Sequence, residues 1–255
     1  MELRVLGCHG GETPRHRTTS FLIDDRLALD AGALTSQLEL ADQSRLGAVL
    51  VTHAHLDHIR DLATVADNRC QSGAEPLIIA ATGPTIETLK RHFFNDILWP
   101  NFAAIPSGAQ PTIVYQELAL ETPTHVLGYQ VHAVAVHHTI DTSGFVVSNG
   151  ESSIAISGDT GPTARFWEVL NATPNLKALL MEVSFPDRHQ HLATLSGHHT
   201  PQTLEADLQK LTSPSELATL LYHIKPQFEA EVQRECALLS NLNLRVLELG
   251  DHFTF

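Results

Sequence analysis

The stretch Leu50-Val51-Thr52-His53-Ala54-His55-Leu56-Asp57-His58 carries the densest chemistry in the chain. Gly47–Thr52 is rich in β-branched and aliphatic residues and predicts a buried strand, while Asp57–Ala66 predicts a helix that opens just beyond it. The junction presents imidazoles at i and i+2, then a carboxylate and a third imidazole at the helix start. Neutral imidazole nitrogens and carboxylate oxygens suit zinc-type ions, with bonds of about 2.0–2.2 Å. Alternate residues leaving a strand end project toward one point, and Asp57 and His58 turn toward a neighbouring one, so a single segment can serve two ions. A polar surface loop, or helix capping by Asp57, would account for one such side chain but not for four at this spacing.

Further candidate ligands stand at the ends of predicted strands downstream. His137 and His138 follow Val131–Val136, Asp159 follows Ile154–Ser157, His198 lies in SGHHTP at 196–201, and His223 closes Leu217–Tyr222. Each alone is a weak signal, since a strand-terminal Asp is as often a turn former. As a set they match the way a rigid scaffold fixes a metal site from several strand ends. Sixteen histidines in 255 residues are many, and their clustering at such positions is the informative feature.

Length and a 43% hydrophobic content allow one large domain spanning 1–255, with no second domain required. No stretch approaches the roughly 18 apolar residues of a spanning helix. The start, MELRVLGCHGG, shows no basic region followed by an apolar one and a cleavage site, so the expectation is a soluble cytoplasmic protein without a membrane partner. Cys8, Cys70 and Cys236 lie far apart and form no C-x-x-C pair, which reads as reduced, mostly buried thiols. A net charge of −13 argues against a nucleic-acid partner, because such binders carry a basic face. A small anionic substrate stays open, since bound divalent ions make a pocket locally positive.

Leu3–Gly7, Ser20–Ile23, Leu27–Asp30 and Pro76–Ala80 read as strands, and Pro84–Phe94 as a helix with Pro at its first position. Phe93–Ser107 is apolar without periodicity and predicts a core-capping or subunit-contact loop, compatible with a homodimer. Gln130–Val136, Gly144–Ser148 and Ser153–Ser157 alternate as strands, with Asn149-Gly150 signalling a tight hairpin. From residue 162 the pattern runs Pro162–Leu170 helix, Ala178–Glu182 strand, Pro201–Leu211 helix, Ala218–Tyr222 strand, Pro226–Leu239 helix and a final strand near Leu244–Leu247. Strand-rich halves each finished by helices predict two sheets packed face to face with helices outside. Glu229, Glu231, Arg234 and Glu235 on the late helix read as a solvated face.

The 53–58 run, Asp159 after Gly158, and the late His223 resemble the metallo-β-lactamase fold superfamily. That resemblance implies an α+β, four-layer αββα sandwich with a two-metal site along one edge of the sheets. It assigns His53, His55 and a mid-chain histidine to one ion, Asp57, His58 and His223 to the other, and Asp159 to both. The mid-chain ligand falls on His138, seven residues before Phe145, with His137 the alternative. Asp30 in LDAG matches an aspartate that orients ligands without binding metal. The cofactors implied are two divalent ions, zinc first, with manganese or iron also suited to such ligands.

Within the superfamily the chain is most similar to class II (also called class III) cyclic-nucleotide phosphodiesterases, through HAHLDHI at 53–59, FNDILWP at 94–100, GDTGP at 158–162, MEVSFP at 181–186, LSGHHTP at 195–201 and YHIKP at 222–226. The chain departs from that pattern after the metal motif, where Arg60-Asp61-Leu62-Ala63 replaces a small or serine-bearing stretch. The implied reaction opens the 3′ ester of a 3′,5′-cyclic nucleotide by attack of a hydroxide shared between the ions, giving a 5′-nucleotide. Asp57, His198 and Glu182 are then the catalytic candidates. His198, with His199 as its obvious confusion, would protonate the leaving oxygen, and Glu182 would fix its tautomer and raise its pKa. Glu182 reads equally well as a salt-bridged strand end. Trp99 and Phe102 as base-stacking groups, and His92 and Asn95 as substrate contacts, have weaker support. Three other functions fit the same scaffold: RNA 3′-end processing as in tRNase Z-like enzymes, thioester hydrolysis as in glyoxalase II-like proteins, and a non-catalytic metal-binding module.

Overall fold

In the computed structural model, which describes residues 1–255, the chain enters β1 (Glu2–Gly7), β2 (Ser20–Ile23), β3 (Leu27–Leu29), β4 (Ala48–Leu50) and β5 (Leu77–Ala81). A small tongue, β6 (Pro106–Ser107) and β7 (Gln110–Pro111), precedes β8 (Ile113–Glu117). Then come β9 (Thr124–Val126), β10 (Tyr129–Ala135), β11 (Ser143–Ser148), β12 (Ser153–Ile156), β13 (Leu176–Glu182), β14 (Ala218–Tyr222), β15 (Leu244–Val246) and β16 (His252–Thr254). They form two seven-stranded sheets, ordered β16-β1-β2-β3-β4-β5-β8 and β15-β14-β13-β12-β11-β10-β9.

Three separate apolar cores show how the layers stack. The central one joins Phe21, Leu29 and Leu50 of the first sheet to Phe145, Ile156 and Leu180 of the second. A second core packs the other face of the first sheet, through Val49 and Ile79, against the helix Asp61–Ser72 and the segment 83–102. The third packs Ala155, Leu179 and Leu221 against Phe166, Trp167, Leu204 and Val232 of the outer helices. Strands buried on both faces read as continuous apolar runs, and β2, β3, β4 and β12 do so. Sheet against sheet, with helices on each outside, is the four-layer αββα sandwich expected.

Local differences have physical causes. The helix expected over 57–66 is broken into Leu56–Ile59 and Asp61–Ser72. The backbone of Ala31 enters the gap: its N–H donates to the His58 carbonyl (2.6 Å), and its own carbonyl accepts from Asp61 N–H (2.9 Å). The Pro84–Phe94 helix widens in its last turn, where Phe94 N–H donates to Leu89 O, five residues back. Asn149-Gly150 does lie in a hairpin, but Ser148 pairs with Ser153, so the loop holds four residues. The Asn149 Oδ1 accepts from the amides of Glu151 and Ser152 and shapes that longer turn.

The segment 93–107 divides. Phe93, Phe94 and Phe102 turn into the core, which removes Phe102 from any role in stacking a base, while Ile97 and Leu98 are exposed. Asn95 is a turn former whose carbonyl oxygen accepts from the amides of Ile97 and Leu98. No helix is long and apolar enough to cross a membrane.

Topology places the C-terminal ends of several strands on one edge. β10 and β12 both run antiparallel to β11, so their C-terminal ends share an edge, and β13 and β14 run parallel to β12. The turns after these strands and after β4 carry the chemistry.

Candidate metal centre

Two overlapping groups of donor atoms converge at that edge: His53, His55, His138 and Asp159, and Asp57, His58, Asp159 and His223. In the first, His55 Nδ1 lies 3.0 Å from His53 Nε2 and 3.2 Å from His138 Nε2. In the second, Asp159 Oδ2 lies 3.3 Å from His58 Nε2 and 3.2 Å from His223 Nε2, and Asp57 Oδ2 lies 3.3 Å from His223 Nε2. Asp159 Oδ2 is also 3.7 Å from His53 Nε2, which makes it the shared member. Bonds of 2.0–2.1 Å in a tetrahedron set neighbouring donor atoms roughly 3.3 Å apart. The observed separations are of that size.

The hydrogen bonds behind these rings turn their lone pairs inward. Asp30 is fully buried, with φ of 57°, and its Oδ2 accepts from His58 Nδ1–H (2.7 Å). Thr52 donates to both Asp30 oxygens, through N–H (2.8 Å) and Oγ1–H (2.8 Å), so its Oγ1 is left to accept from His53 Nδ1–H (3.0 Å). His138 Nδ1–H donates to the Gly197 carbonyl (2.9 Å). Ser184 Oγ–H donates to Glu182 Oε2 (3.0 Å) and therefore accepts from His223 Nδ1–H (2.9 Å). Each bond places the ring proton on Nδ1 and frees Nε2 for a cation.

Two buried atoms in the cluster, His58 Nε2 and Asp159 Oδ1, have no hydrogen-bond partner. Orphaned polar atoms of this kind are costly unless something pairs with them. The donor chemistry, the spacing, the fixed tautomers and these orphans all fit a pair of divalent ions.

The electrostatics agree. Burial by itself would raise the Asp57 carboxyl, but the hydrogen bond from His223 and the His58 charge hold it well below the ordinary carboxylate range. Burial likewise opposes ionisation of Asp159, and the neighbouring His223 and His58 overcome it. Burial drives His53 well below its usual value, and it lowers His55, His138 and His223 as well, which favours the neutral imidazole that binds metal. His58 is the exception: flanked by Asp159 and Asp30, it is drawn well above its usual value against burial. A cation at Nε2 would take the place of that proton.

Beside the cluster stand Glu182 and His198. Glu182, the last residue of β13, is fully buried; its Oε1 accepts from Thr160 N–H (3.2 Å), His199 N–H (3.0 Å) and His198 Nδ1–H (3.2 Å). The His198 ring stacks on His223 with centroids 5.2 Å apart. Glu182 thus orients His198, but the expected rise in the imidazole's pKa is not found. Burial pulls His198 down to about 4, outweighing the Asp159 charge, and burial with Asp159 pushes Glu182 up to about 7. His199 points away, with Nδ1 against Thr203 Oγ1 (3.1 Å) and Nε2 near Asp207 (3.7 Å), so it belongs to the packing of the helix Pro201–Leu208.

The remaining candidates separate from the centre. His137 is absent from both donor groups, and only its backbone is held, donating to Thr160 Oγ1. Asp57 lies inside the short helix, not at its cap. His92 is exposed, and Trp99 donates its indole N–H to Ala63 O (3.0 Å). Arg60 and Asp61, where the sequence departs from the phosphodiesterase pattern, knit the N-terminal loops: Arg60 pairs with Glu12 and donates to Gly32 O, and Asp61 Oδ2 accepts from Thr35 N–H and Oγ1–H. Lys225, in the YHIKP motif at 222–226, is close enough to His198 and His223 to depress both, and it lines a cavity of about 950 Å³ with Phe185 and Phe228. The sharp turn after β14, where His223 has φ of 70°, brings Lys225 to that position.

A family model described as the beta-lactamase superfamily domain matches residues 21–224. A Yersinia pestis protein named probable 3′,5′-cyclic-nucleotide phosphodiesterase is 28% identical, the alignment covering 94% of this chain and 83% of that one. The crystal structure of unliganded yeast PDE1 superposes with a TM-score of 0.81 at 20% identity, covering 98% of each chain. Human tRNase Z, short form, superposes with a TM-score of 0.72 at 17% identity, covering 100% of this chain and 99% of that one.

Proposed function

The chain belongs to the beta-lactamase superfamily, and from that premise we propose that it is a binuclear metal-dependent phosphodiesterase hydrolysing 3′,5′-cyclic nucleotides to 5′-nucleotides. The observation that carries this reading is the His198–Glu182 pair stacked against the donor cluster. Thioester hydrolysis needs the ions but leaves that pair idle, whereas a departing 3′ oxygen needs a proton. The relative named as a cyclic-nucleotide phosphodiesterase, aligned over most of both chains, supports the same substrate class.

His53, His55, His138 and Asp159 would hold one ion, and Asp57, His58, His223 and Asp159 the other. When bound, such ions supply Lewis acidity, drawing the pKa of water toward neutrality and neutralising phosphoryl charge. Asp30, Thr52, Gly197 and Ser184 keep the ligand rings aimed, so the site is organised before substrate arrives. His198 keeps Nδ1 on Glu182 and leaves Nε2 uncommitted. At rest it is a neutral imidazole. An anionic phosphodiester against Nε2 favours its protonated form; Nε2 takes that proton from solvent and passes it to the leaving oxygen, which returns the ring to neutral. Lys225 adds positive charge at the same mouth.

A metal-replete kinetic panel of cyclic AMP, cyclic GMP, a bis-aryl phosphodiester and precursor tRNA tests this. Turnover of a cyclic nucleotide is expected. Turnover of precursor tRNA alone would establish the tRNase Z-like alternative instead, which the acidic balance of the chain disfavours. Full metal loading with no turnover on any ester would leave a binding module.

A further inference from the structure

Outside the binuclear donor set, His9, His16 and Glu229 form another group whose donor atoms converge. Both histidines are buried and Glu229 is half-buried. Their rings meet edge to face with centroids 4.6 Å apart. His9 Nε2 faces Glu229 Oε1 at 3.6 Å, and His16 Nε2 faces Glu229 Oε2 at 3.2 Å. These separations bracket the roughly 3.3 Å edge of a tetrahedron with 2.0–2.1 Å bonds.

The other ring nitrogens are held by the loop itself. His16 Nδ1 lies 2.5 Å from Thr13 Oγ1, itself fixed by accepting from Arg15 N–H. His9 Nδ1 accepts from Arg17 N–H at 3.3 Å and lies 3.2 Å from the Arg17 carbonyl.

We propose that His9, His16 and Glu229 form a third, independent zinc-type site, with two imidazoles, one carboxylate and a fourth position open to water. Two histidines and one glutamate are a sufficient protein donor set for a tetrahedral ion. The site joins two parts of the chain that are distant in sequence, the loop after β1 and the helix after β14. His9 bridges to Ile224, just after β14; His16 lies in the loop leading to β2; and Glu229 opens the helix Glu229–Ala237. Thr13 and His16 also line the cavity shared with Phe185, Lys225 and Phe228, so the ion fixes one wall of that cavity. Its role is to hold the loop 8–19 against the helix, and it takes no part in bond breaking.

The test is zinc content by mass spectrometry after loading and desalting the full chain. Glu229→Gln, which preserves shape but replaces one carboxylate oxygen with an amide NH2, should bind one zinc fewer than wild type while keeping its turnover number within a few-fold. Asp159→Ala should lose the binuclear ions and retain one, and adding Glu229→Gln to it should remove that last ion. Equal zinc content in wild type and Glu229→Gln, or in Asp159→Ala with and without it, would overturn the proposal. His16→Gln provides the same comparison if Glu229→Gln does not fold. A plain hydrogen-bonded His–Glu–His cluster predicts no change in zinc in any of these variants. Because the readout is the metal count and not turnover, the third site can fail while the phosphodiesterase reading stands, and the reverse.

Discussion

At the residue scale, Asp159 and His198 differ in what they hold together. Asp159 is the one side chain common to both donor groups, so Asp159→Ala is expected to lose the paired ions and nearly all turnover, as metal analysis and kinetics on one preparation will show. His198 contacts the centre only by stacking, so His198→Ala should keep the paired ions while kcat falls by roughly 10²–10⁴, the usual range for one positioned acid. Loss of metal in that variant would remove His198 from the role of donor. The cysteines give an independent check on burial. Burial, reinforced by nearby carboxylates, pushes the Cys8 and Cys236 thiols up to about 12, whereas Cys70 is half-buried. Reactivity follows the thiolate, so a disulfide reagent should label one thiol in the native protein, Cys70, and three after unfolding. Fast native labelling of Cys8 would contradict the burial of its thiol against Leu247 O.

At the scale of elements, one glycine shows how tightly the turns around the centre are fitted. A Cβ on Gly10 would meet His223 O at 2.4 Å and His223 Nδ1 at 2.9 Å. Gly10→Ala should displace His223 and lower metal affinity or activity about 10–100-fold, as loss of a ligand-supporting contact typically does. Unchanged zinc affinity in a competitive chelator titration would show that the loop yields instead. The strand ends that carry His138, Asp159, Glu182 and His223 were legible because each follows an apolar run and carries a ligating side chain. The break at Arg60 was not, since it depends on the Ala31 backbone 29 residues earlier and not on any local breaker. Glu231 and Arg234 keep to the solvated face expected of that helix, but Glu229 and Glu235 depart from it for a similar reason. Glu229 meets His9 and His16, Glu231 pairs with Arg188, and Glu235 accepts from Asp187 N–H. Partners supplied by distant loops leave no periodic trace in a helix.

For the whole molecule, the αββα layering followed from strand-rich halves finished by helices, and three apolar cores now account for it. Three of its four edge strands, β9, β15 and β16, are only three residues long, which limits exposed pairing surface. The acidic surface and the proposed centre have opposite demands. Carboxylates keep the exterior negative, while ions would make the mouth positive for a small anion. Raising ionic strength should therefore change KM for a cyclic nucleotide more than kcat, and an equal effect on both would place the charge sensitivity in the chemical step.

The two halves of the donor set come from different sheets. His53, His55, Asp57 and His58 follow β4 of the first, whereas His138, Asp159 and His223 follow β10, β12 and β14 of the second. Ions bound between them would act as a clasp across the sandwich, so the sheets could not part at that edge without first releasing metal. The centre would then govern how long the protein survives as well as what it does. Unfolding in denaturant should become slower as free zinc is raised and faster with chelator, while refolding changes little, because the clasp closes only after both sheets are in place. A folding rate that rises with zinc as steeply as the unfolding rate falls would mean the edge assembles first.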